Sequence, residues 1–280
     1  MQNKMDIGRR LCSIDELFSK TSTAARDTEF AFIFTRFDIS LEKAVEGSLF
    51  YSWSGRTGAS SPSQMREVLG IEDIGEIAED RTRTCHYLQY VFNIANLVAN
   101  GINQIGGICD EKAVAAVIED TKDAAAMLGM EFVPEDEDRY LLCLRDAAIL
   151  EAASTAEPDE MADLVSYLHY SNEGSLTRKK AILARLYTGF EGRRKMLEAN
   201  GSKCLCSDIG YLCNNLNIRH NNKSGSKSKP ALRSVKKAER EGWYDHLAGL
   251  YAEAILAERR INRNGDLDDL KSRLEDEHIA

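Results

Sequence analysis

Hydrophobic residues in this chain recur mostly three and four positions apart, the spacing that lines one face of an α-helix. The clearest stretch is Thr84–Gly107, where Tyr87, Tyr90/Val91, Ile94, Leu97/Val98 and Ile102 form one broad apolar stripe and Gly106-Gly107 can end the helix. Asp110–Met130 is amphipathic, with acids in its first turn, where the helix dipole favours them. Ser13 and Glu16 have capping-box spacing and start a helix near Ser13–Leu17. Asp27–Trp53 is mixed. Phe30, Phe32 and Phe34 alternate like a strand, but Phe30, Phe34, Phe37, Leu41, Val45 and Leu49 sustain helical spacing, which favours helix. Ser54–Ser63 is a loop by composition; its glycines and serines lack the Gly-Lys-Ser/Thr ending of a phosphate loop. Arg139–Ala153, behind the acidic turn Pro134–Asp138, and Glu160–Tyr170 are expected to be helices.

The C-terminal third is more regular. A helix starts behind Ser175 and ends at Asn200-Gly201, with Leu176, Leu183, Leu186/Tyr187, Phe190 and Leu197 on one face and Arg178, Lys179, Arg185 and Arg193 on the other. Ser202 caps a second, about Lys203–Ile218, with Leu205, Ile209, Leu212/Cys213 and Leu216 inward. A last long helix runs from near Ser234 to about Asn262, with Trp243/Tyr244, Leu247, Leu250/Tyr251, Ala254/Ile255 and Ile261 on its stripe. The pattern predicts an all-α protein. A helical region occupies about 1–155, Ser154–Glu160 is the boundary, a helical bundle occupies about 160–265, and 266–280 is a charged tail that is a short helix or frays.

Composition changes this picture little. The 280 residues are 43% hydrophobic and 29% charged, ordinary globular usage, and only four are proline. No apolar run reaches the length of a membrane span, and no apolar core follows the charges of the first residues as in a secretory signal. Seven cysteines without a regular framework suit reduced thiols, so the expected location is the cytoplasm. The charge is uneven. Eleven Asp/Glu stand against two Arg in Glu131–Asp163, whereas eight Lys/Arg stand against one Glu in Arg219–Arg240, inside a chain of formal net charge -9. Such a balance opposes wrapping a long duplex but allows a compact grip on a few phosphates.

The basic run is where chemistry concentrates. "CNNLNIRHNNKSGSKSKPALR", Cys213–Arg233, sets Arg219-His220-Asn221 at a helix end and follows it with Lys223, Lys227, Lys229 and Arg233 in a Gly/Ser-rich loop. Looser Arg/His pairs occur at Arg81/His86, Arg240/His246 and Arg273/His278. Cys204, Cys206, Cys213 and His220 do not have zinc-ligand spacing, and the three cysteines read as buried free thiols. The order of long helix, helix, Arg/Asn/His turn and long helix over about Ser175–Asn262 resembles the HEPN group of small helical domains, found in bacterial toxins, CRISPR nucleases and abortive-infection proteins. The resemblance implies RNA cleavage without metal. Arg219 would hold a phosphate, His220, helped by His246, would move a proton for the RNA's own 2′-OH, and Asn221 would orient them. In this chain His220 follows Arg219 directly, where the group's usual motif spaces them four to six residues apart. The expected function is therefore RNA binding or metal-independent RNA cleavage in a bacterial defence or toxin system. Lys223, Lys227, Lys229 and Arg233 would bind the nucleic acid, no cofactor is implied, and the partners are RNA, a second copy or another protein. The other reading is a non-catalytic interaction protein whose Arg-His-Asn segment caps a helix and whose basic loop docks an acidic partner.

Overall fold

The computed structural model describes residues 42, 45, 48–56, 58–71, 80–105, 111–136, 138–218 and 235–279. The helix expected at Ser13–Leu17 and most of that at Asp27–Trp53 lie outside them; Glu42, Val45 and Ser48–Ser52 are helical, in keeping with the 3-4 pattern there. Two compact units divide between Arg145 and Asp146. Helix dominates both, with one two-stranded hairpin among the described residues.

The first unit contains α1 (Ser48–Ser52), a 3-10 turn (Ser54–Arg56), α2 (Pro62–Leu69), α3 (Arg81–Ile105), α4 (Glu111–Met127), β1 (Met130–Pro134) and β2 (Tyr140–Leu144). Its core forms around α3, whose Tyr87, Tyr90, Val91, Ile94, Ala95 and Val98 meet Phe50, Trp53, Met65, Ile71, Val114 and Val117. The Trp53 indole N–H donates to the Asp138 carbonyl at 2.9 Å. Gly55 is required beside that indole, because a Cβ there would collide with its ring. Ser61 caps α2 by accepting from the Gln64 N–H, and Gly70 ends it at φ 64°, in the left-handed region glycine adopts without strain.

The hairpin corrects the expectation of a helix over Arg139–Ala153. Tyr140–Leu144 pairs antiparallel with Met130–Pro134, in the register Met130↔Leu144 through Pro134↔Tyr140. A five-residue apolar run fits a strand and a helix equally well. Here Asp146 accepts from the Ala148 and Ile149 N–H groups, so the next helix can begin only beyond it. Helix α3 then closes the free edge of β2. Asn93 donates to the Tyr140 carbonyl at 2.8 Å and accepts from its N–H at 2.7 Å, and the Gln89 side chain accepts from the Leu142 N–H at 2.7 Å. Phe92 stacks on Phe132 with ring centroids 3.8 Å apart, and Tyr140 meets Phe92 edge-on.

The second unit is a helical bundle of α5 (Ala147–Ala153), α6 (Pro158–Leu168), a 3-10 turn (Tyr170–Asn172), α7 (Leu176–Ala199), α8 (Lys203–Asn215) and α9 (Lys237–Ile279). The three long stripes predicted from sequence pack on one another: α7, α8 and α9 are mutual neighbours, and α5 and α6 complete the bundle. Leu183, Phe190, Leu197, Cys206, Ile209 and Leu247 are fully buried between them. Helix α9 does not stop near Asn262 but continues to Ile279. No helix among the described residues is long and apolar enough to cross a membrane.

Candidate functional site

The singled-out segment lies between α8 and α9. Helix α8 ends at Asn215, with Asn217 at φ 55°. The Ile218 N–H donates back to the Cys213 carbonyl at 2.9 Å, and Ile218 itself is buried. This is a Schellman-type stop, and Asn is among the few side chains that tolerate the left-handed turn it needs. The helix therefore ends short of Arg219. Cys206 and Cys213 are buried and Cys204 is exposed. The Cys213 thiol lies 3.0 Å from the Tyr251 hydroxyl. Burial raises the Cys206 thiol, and burial, helped by Glu131 and Glu135, pushes that of Cys143 up to about 12, so both stay protonated at neutral pH. Arg219, His220, Asn221, Lys223, Lys227, Lys229 and Arg233 lie outside the described residues.

Of the residues expected from the sequence to act in catalysis, His246 alone lies among the described residues. It is exposed on the outer face of α9 and meets the Trp243 ring edge-on, with centroids 6.0 Å apart. Trp243 is 45% exposed, whereas its neighbour Tyr244 is buried at 4%. Neighbouring side chains on a helix point about 100° apart, and here Tyr244 takes the inward side while Trp243 is presented to solvent. Lys236 and Lys237, also exposed, precede the pair. Trp243 is the functional candidate that periodicity missed, because the spacing set Trp243 and Tyr244 on the same apolar stripe.

Beneath this surface a polar clasp fixes the start of α9. Lys179, read from sequence as part of a solvated face, is only 2% exposed. Its Nζ bonds Glu241 Oε1 at 2.8 Å and Asp245 Oδ1 at 2.7 Å, and lies 5.2 Å from the Tyr167 ring centroid. Tyr167 Oη donates to Asp245 Oδ1 at 2.8 Å, and the Gly174 N–H donates to Glu241 Oε1 at 2.6 Å. Burial pushes the Glu241 carboxyl up, but its bonds from Lys179 and Gly174 outweigh that and hold it below the usual glutamate range. Arg193, also assigned to the outer face, forks between Glu160 and Glu258, both at 2.6 Å, and ties α6, α7 and α9 together. These groups are spent on holding helices. Among the described residues no group of three His, Cys, Asp or Glu could hold a metal ion.

Of the looser pairs, His86 is half-buried with Nδ1 3.3 Å from the Leu69 carbonyl, and burial lowers its pKa despite that bond and nearby Asp80. It serves packing in the first unit. The chain matches no family model, no curated protein and no solved structure.

Proposed function

We propose that the protein binds single-stranded RNA on the outer face of the start of α9. The observation that carries this reading is the exposed Trp243–His246 ring pair, directly after the basic run Arg219–Lys237. Aromatic faces stack on any base, and neighbouring cations hold the phosphate chain. The clasp beneath supports the reading because it gives the rings a rigid base. In the same reading Arg219 forks onto a phosphate, His220 moves a proton to or from the 2′-OH reaction, and Asn221 orients them. His246, on the platform itself, contacts the nucleotide.

The chain holds two tryptophans, and Trp53 is buried. Single-stranded RNA should therefore quench Trp243 emission alone, with affinity falling steeply as salt rises. Trp243→Ala should weaken binding by about 1–3 kcal/mol per stacked base. Replacing Lys223, Lys227, Lys229 and Arg233 with Ser should flatten the salt dependence. Labelled RNA incubated in EDTA tests chemistry. Cleavage lost in Arg219→Ala and His220→Ala with the melting temperature kept supports the catalytic part; equal cleavage in all three removes it. No RNA binding at low salt overturns the proposal and leaves the basic loop to an acidic protein partner.

A further inference from the structure

The end of α9 carries a second surface, remote in sequence from the ring pair. Leu267, Leu270 and Leu274 are 50%, 52% and 51% exposed, a stripe spaced by three and four on the otherwise polar last third of the helix. Extended toward the N-terminus at the same heptad spacing, the stripe passes through Arg263, Arg260 and Leu256. Leu256, Arg260, Arg263, Leu267 and Leu270 also line one open groove of about 780 Å³. A helix end so long and so polar gains little from packing on the described residues of its own bundle, and Gly265 within it weakens it further.

From this we infer that the C-terminal part of α9 pairs antiparallel with the same segment of a second copy of the chain. The charge order selects both the occupant and its direction. The segment runs from a basic stretch, Arg259, Arg260 and Arg263, to an acidic sequence at 275–277. Parallel copies would set like charges level with each other, and antiparallel copies set unlike charges level. Centring the two-fold axis between Leu267 and Leu270 sets each Leu267 against Leu270 of the other copy. Asp266 of one copy is then level with Lys271 of the other and faces Arg273, two residues further along the same flank, twice by symmetry. Leu274 faces the aliphatic stem of Arg263, whose charged head reaches water at the rim. Asp268 and Asp269 fall on the outer side and do not meet. The same register serves both copies, as an isologous interface requires.

Analytical ultracentrifugation of the full chain in reducing buffer tests this. The expected result is a monomer–dimer equilibrium below roughly 100 μM, in the range of a small coiled interface. Leu270→Asp should abolish the dimer and melt like the parent diluted below its dissociation constant, because the leucine is exposed in the monomer. Asp266→Arg alone and Arg273→Asp alone should each raise the dissociation constant several-fold, and the double reversal should restore it. A monomer at every concentration overturns the inference. So does a Leu270→Asp variant that sediments like the parent, or a double reversal no tighter than the single variants. None of these outcomes depends on RNA, so the reading of the Trp243 surface stands or falls separately.

Discussion

At the scale of single residues, Lys179 shows how a charge becomes structural. A lysine 2% exposed must have partners, since an unpaired buried ammonium is too costly to keep. Glu241, Asp245 and the Tyr167 ring supply them from two helices. Lys179→Met would strand two acids side by side; with Asp245 half exposed, the expected loss is about 2–4 kcal/mol, read from urea unfolding. Glu241 brings a pH dependence of definite sign. Its folded pKa lies below the ordinary 4.5, so as pH falls past that value the unfolded chain binds a proton first. Stability is whole above about pH 4.5 and falls as acid is added through the folded pKa; Glu241→Gln should lack that limb in an acid titration followed by circular dichroism. His86 acts in a higher window. Its pKa is lowered from 6.5, so stability is whole above that pH and declines as the unfolded chain alone takes up the proton. His86→Gln should flatten the melting temperature between pH 7 and 5.

At the scale of elements, the boundaries are set by side chains that satisfy stray backbone groups. Asn217 lets α8 stop with the Cys213 carbonyl of its last turn paired to the Ile218 N–H. Asn217→Gly should be neutral or slightly stabilising. Asn217→Val, forced into the left-handed region, should cost about 1–2 kcal/mol and shift the melting temperature of the second unit. The hairpin depends on helix α3 in the same manner. Asn93→Ala removes both bonds to Tyr140 and should cost about 1–3 kcal/mol, with faster amide exchange at Tyr140 as its local signature.

At the scale of the whole molecule, each unit has its own core and its own tryptophan. Leu183→Asp places an uncompensated charge at a fully buried position of the second bundle and should unfold it. In a Trp243→Phe background, Trp53 should keep the blue-shifted emission of a buried indole, reporting an intact first unit. A red shift of Trp53 on that substitution would show that the first unit needs the second in order to fold.

The periodicity of Thr84–Gly107, Ser175–Asn200, Lys203–Ile218 and Ser234–Asn262 was enough to locate four helices and most of the residues they bury, because apolar residues three and four apart have one low-energy arrangement. The same logic failed at Tyr140–Leu144, where five apolar residues carry no period and the strand exists only because β1 and the Asn93 and Gln89 amides receive it. Lys179 and Arg193 looked like surface cations from their own helix; acids on α9 and α6, distant in sequence, took them inside. The choice of Tyr244 over Trp243 for the core, which leaves an indole in solvent beside His246, likewise came from helix packing. Local pattern determines which residues seek burial, and tertiary structure alone decides which partners reach the polar ones and which aromatic is left facing water.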